Sequence, residues 1–116
     1  MNIYLEVFML KKYLIERNIP NVGGSTPADY QKMVGASKEV LADLGPDIKW
    51  EESYVTDNKV YCVYQAANED VIRRHAELGG FPADKICEIK ETLSPEFNQR
   101  FTQKPERRPD VDINLS

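Results

Sequence analysis

Thiol and imidazole groups are scarce in this chain: two cysteines, Cys62 and Cys87, and one histidine, His75, among 116 residues. The cysteines lack the Cys-x-x-Cys spacing, so neither a disulfide framework nor a zinc knuckle is indicated, and both read as reduced thiols on strands. An excess of basic charge is also missing, with 15 Lys and Arg against 19 Asp and Glu, a net charge of −4 and a pI near 5.0. A phosphate-backbone binder normally presents a basic face, so nucleic acid is not an expected partner. No apolar run reaches the length of a membrane span. Met1 to Leu10 is rather apolar, but it contains Glu6 and has neither a basic start nor a small-residue cleavage site, so a signal peptide fits poorly. A cytoplasmic protein is expected.

What is present is enough apolar material, 41% of residues, for one domain with a modest core, placed at residues 1–97. From Asn98 onward the chain is polar, charged and broken by prolines, and residues 98–116 are expected to form a disordered tail. The first strand lies within Met9 to Arg17, stopped by Pro20. Thr26-Pro27 is an N-cap followed by proline at the first helical position, and Tyr30, Met33, Val34, Ser37, Val40, Leu41 and Leu44 recur at helical spacing before Gly45-Pro46 ends the run. Ile48 to Thr56 and Lys59 to Ala66 read as a hairpin whose tight turn, Asp57-Asn58, tolerates positive φ. A second helix starts at Asn68, with Glu69 and Asp70 at its positive end. Asp84 to Leu93 reads as a last strand. The order β-α-β-β-α-β predicts a ferredoxin-like α+β fold, a four-stranded antiparallel sheet with strands one and three in the middle and both helices on one face.

His75 falls on the apolar side of the second helix, with Val71, Ile72 and Leu78. A buried imidazole needs a partner for each ring nitrogen, since an unpaired buried polar group costs on the order of 1–3 kcal/mol, so something polar must face it. The residue lies roughly 10 Å along the helix, about three strand residues back from Ala66, which sets it abreast of Cys62 to Tyr64. With strand one taken as parallel to strand three, Glu16 and Arg17 come to the same edge as Tyr64 and Gln65, and a polar cluster of His75, Cys62 or Tyr64, Glu16 and Arg17 is expected. A lone histidine on such a face is more often a hydrogen-bonded core residue than a ligand. Paired with Cys62, however, it offers nitrogen and sulfur donors that nickel, copper or zinc accept.

Both sheet faces carry apolar or aromatic residues. Val60, Cys62 and Tyr64 alternate with Tyr61 and Val63, and the preceding strand adds Trp50 and Tyr54. Two helices cover one face only, so the other is expected to meet a second copy in a homodimer.

Four blocks, Lys12 to Pro20, Leu44 to Trp50, Ser53 to Tyr64 and His75 to Ala83, together resemble a bacterial family of small domains often labelled nickel-binding proteins, over about residues 11–95. The resemblance implies a ferredoxin-like fold, dimerisation and nickel binding. The family pattern includes Glu16-Arg17, Tyr54, Asp57, Tyr61-Cys62, His75 and Gly79 to Pro82, all present. Gln65 stands where many relatives have a glutamate or an aliphatic residue, which weakens any carboxylate ligand there. The expectation is a nickel site at His75, Cys62 and Glu16, with Arg17, Tyr54, Asp57, Tyr61, Tyr64 and Gln65 around it. The alternatives are a small-molecule enzyme using His75 as general base and a non-catalytic structural or regulatory module.

Overall fold

The computed structural model describes residues 10–97, so the expected tail and the first residues lie outside it. Strand β1 (Lys11–Asn18) leads to helix α1 (Pro27–Leu44), then β2 (Ile48–Val55), β3 (Lys59–Ala66), α2 (Glu69–Gly79) and β4 (Lys85–Glu88). The sheet order is β2-β3-β1-β4 with all pairs antiparallel, the arrangement expected of a ferredoxin-like fold. Among the described residues no helix is long and apolar enough to cross a membrane.

Helix α1 begins as the sequence predicts, with a reciprocal capping box. Thr26 Oγ1 accepts from the Asp29 amide at 3.1 Å, and Asp29 Oδ2 accepts from the Thr26 amide at 3.0 Å. Asn68 Oδ1 caps α2 by accepting from the Val71 amide at 3.0 Å. Side chains alternate along the central strands: Tyr13, Ile15 and Arg17 of β1 and Val60, Cys62, Tyr64 and Ala66 of β3 are buried under the helices. Ile15 and Ile72 are fully buried, and truncating either to alanine is expected to cost about 2–5 kcal/mol.

Four expectations are corrected. Strand β1 is antiparallel to β3, because the α1 crossover makes β2 parallel to β1 and the hairpin then reverses the chain; Glu16 therefore stands opposite Tyr61 and Arg17 opposite Val60. The last strand ends at Glu88 rather than Leu93, although the Ile89 amide still donates to the Lys12 carbonyl at 2.7 Å. Leu78 is 56% exposed; six residues beyond Ile72 it is turned 600°, off the buried stripe, which Ala76 completes. Neither Asp57 nor Asn58 has positive φ. Instead Thr56 Oγ1 accepts from the Lys59 amide, and the turn is held from outside: Asp57 and Asn58 carbonyls accept from Gly23 and Ile19 amides at 3.0 Å each, and Asn58 Oδ1 accepts from the Asn21 amide. That close approach requires Gly23, since a Cβ there would lie 2.8 Å from Asp57 Cα.

Candidate functional site

Between α1, the helix-covered face of the sheet and the segment after α2 lies a cavity of about 500 Å³. Its walls are mostly apolar, with Tyr30, Met33 and Val34 from α1, Trp50 and Val55 from β2, and Phe81. The polar part comprises Arg17, Ser37, Cys62, Tyr64 and His75, with Asn18 and Ser53 also on the lining.

The chain end of α2 builds one wall. Gly80, with φ at 70°, reverses the helix in the left-handed conformation that glycine adopts without strain, and the Phe81 amide returns to the Ala76 carbonyl at 2.9 Å. This turn lays the Phe81 ring 5.3 Å from the His75 ring and 5.6 Å from the Arg17 guanidinium carbon. It also presents the Pro82 carbonyl to Arg17 Nη1 at 2.6 Å. Arg17 Nε donates to Cys62 Sγ at 3.4 Å. Arg17 is thus buried, 4% exposed, without forming an ion pair among the described residues.

His75 is 1% exposed and finds a polar neighbour for one of its two ring nitrogens. Its Nε2 is 3.1 Å from Ser37 Oγ, which is 3.3 Å from the Tyr64 hydroxyl, and the Tyr64 and His75 rings are 5.3 Å apart. Burial, reinforced by the Arg17 charge, pushes the His75 pKa down to about 4. The imidazole is therefore neutral near pH 7 and a weak base. Burial also raises the Tyr64 pKa, so its hydroxyl keeps its proton. Among the described residues two buried side-chain polar atoms have no hydrogen-bond partner, Arg17 Nη2 and His75 Nδ1.

The structure brings together His75, Cys62, Arg17 and Tyr64 and separates them from the other expected site residues. Glu16 accepts from Lys59 Nζ at 2.9 Å on the uncovered face. Tyr61 and Tyr54 pair on that same face, where Gln65 Nε2 donates to Glu51 at 2.7 Å. Asp57 serves the hairpin turn. The pleat explains the division, since residues an odd number apart on one strand project to opposite faces. Ser37, Trp50 and Phe81 were absent from the expected set. Ser37 carried a signal: it is the single serine in an otherwise apolar and aromatic helical stripe, on a chain whose other helix carries a polar His75 in its own stripe.

Nickel fits these donors poorly. His75 Nδ1 is free and Cys62 supplies a soft sulfur, but Glu16 is on the other face and a guanidinium occupies the sulfur. A fixed positive charge 3.4 Å from that sulfur opposes a divalent cation. Among the described residues no three His, Cys, Asp or Glu side chains gather as a metal site.

No curated protein gives a significant match to the chain. A crystal structure of SCO4226 from Streptomyces coelicolor A3(2) superposes with a TM-score of 0.61 at 16% identity, over 71% of this chain and 99% of that one. At that identity the likeness establishes the fold. The family model described as nickel responsive protein SCO4226-like matches residues 13–89, and the chain belongs to this SCO4226-like family.

Proposed function

We propose that the protein binds a small, largely apolar organic molecule in the cavity beneath α1. The observation that carries this reading is a half-enclosed space of about 500 Å³ whose apolar walls meet a few convergent polar groups, the usual makeup of a small-molecule site. Binding is favoured over general-base catalysis because a histidine with a pKa near 4 accepts protons weakly at neutral pH. The test is a titration with the neutral fluorophore N-phenyl-1-naphthylamine. One saturable site per chain is expected in the wild type, and Met33→Trp, which fills the cavity, should remove it. Non-saturable fluorescence unaffected by Met33→Trp refutes the reading.

The second reading is nickel binding through His75 Nδ1 and Cys62, supported by the family's description and by that ring nitrogen having no partner. It requires Arg17 to leave the sulfur. Calorimetric Ni²⁺ binding lost in His75→Ala supports it; binding retained in that variant moves the metal elsewhere.

A cytoplasmic homodimer joined through uncovered sheet faces completes the proposal. Its support is the stripe of Leu14, Tyr61 and Val63, flanked by the 54% exposed Tyr54.

A further inference from the structure

We infer that the ligand of this cavity is an organic monocarboxylate, its apolar body against α1, Trp50 and Phe81 and its carboxylate compensating Arg17. The inference rests on the small-molecule reading and specifies the head group. Three observations carry it.

Arg17 is buried and, among the described residues, has no ion-pair partner and shares the cavity wall with no Asp or Glu. A buried charge without a counter-charge is costly, and two of its three nitrogens already donate to the Pro82 carbonyl and Cys62 Sγ. The third, Nη2, has no acceptor within 3.5 Å among the described residues, with the Tyr64 hydroxyl a polar neighbour of the guanidinium.

The other polar groups of the wall bring no negative charge. The Tyr64 hydroxyl, Ser37 Oγ and His75 Nε2 form a chain with spacings of 3.3 and 3.1 Å, and all three groups are neutral near pH 7, Tyr64 because its pKa is raised and His75 because its pKa is lowered. A carboxylate supplies both the missing charge and strong acceptors without bringing a donor.

The charge count sets the ligand's valence. One guanidinium in apolar surroundings matches a single negative charge, whereas a phosphate monoester brings nearly two. The apolar walls of Met33, Val34, Trp50 and Phe81 leave the second charge unpaired.

The experiment compares octanoate, 1-octanol and octylamine, which share an apolar body and differ in head group. Binding is read by quenching of Trp50, the sole tryptophan and part of the cavity wall, and by calorimetry. Octanoate is expected to bind about tenfold more tightly than octanol, a charge-assisted contact being worth at least that factor, with octylamine weakest. Arg17→Met should bring octanoate down to octanol's affinity while octanol still binds. Should Arg17→Met fail to fold, the comparison in the wild type decides alone. Equal binding of octanoate and octanol overturns the carboxylate inference and leaves the small-molecule reading standing; preference for octylamine does the same. Binding of none of the three overturns both.

Discussion

Glu16 and Arg17 are consecutive residues whose side chains leave β1 on opposite faces of the sheet. Glu16 Oε2 accepts from Lys59 Nζ on the uncovered face, while Arg17 donates to Cys62 Sγ and the Pro82 carbonyl beneath the helices. The two are therefore predicted to separate by function. Glu16→Gln should leave the urea midpoint near that of the wild type, because a half-exposed ion pair on a sheet surface contributes little, and should leave cavity binding unchanged. Loss of cavity binding in Glu16→Gln would show that the faces communicate.

Acid should destabilise the protein through His75. Its folded pKa, about 4, lies below the ordinary value of 6.5, so the unfolded chain binds the proton first and stability is lost as pH falls from 6.5 toward 4. The contribution is about 2 kcal/mol after allowance for solvent screening. Urea unfolding across this range should show a shallower pH dependence in His75→Gln than in the wild type. Parallel curves would mean that the imidazole already titrates normally when folded.

The two thiols should differ in reactivity and remain unbridged. Cys62 is buried and Cys87 exposed, opposite Ile15 and Leu14 respectively, with β1 between them. Two strand spacings, roughly 9–10 Å, exceed disulfide reach. Iodoacetamide followed by mass spectrometry should show Cys87 modified first, with Cys62 protected until unfolding.

Two glycines should respond in opposite directions to alanine. At Gly35, exposed in α1, a Cβ meets nothing within 4 Å, so Gly35→Ala is expected to stabilise by about 0.5–1 kcal/mol through helix propensity. At Gly23 the Cβ meets the backbone of the hairpin turn at 2.8 Å, and Gly23→Ala should cost about 1–3 kcal/mol. Denaturant midpoints for the pair measure both.

Sedimentation tests the proposed assembly. A species near twice 13.3 kDa is expected, weakened by Tyr61→Glu or Val63→Glu, which place charge on the uncovered face. A monomer at tens of micromolar protein rejects the sheet-to-sheet dimer.

The element order and the strand order were legible because capping residues and apolar periodicity are local signals: Thr26-Pro27, Asn68 and the alternation from Val60 to Ala66 each act within a few residues. The position of His75 beside Tyr64 followed from helix rise and strand rise alone. The site as a whole did not. Grouping Glu16 with Arg17 ignored the two-residue period of the pleat, and the assumed direction of β1 relative to β3 put both at the wrong end. Phe81 entered through a left-handed turn at Gly80 that converts a helix stop into a cavity wall, a relationship between residues 17, 75 and 81 that no local pattern encodes.

Helix α1 spans 18 residues, yet Ser37 is its one buried side chain among the described residues, because the cavity lies where its apolar stripe would otherwise pack. An element with so little buried contact opens locally at lower free energy than the central strands. Its amides should therefore exchange with deuterium ahead of those in β1 and β3, and an occupant of the cavity would slow that exchange most along the turns carrying Tyr30, Met33 and Ser37.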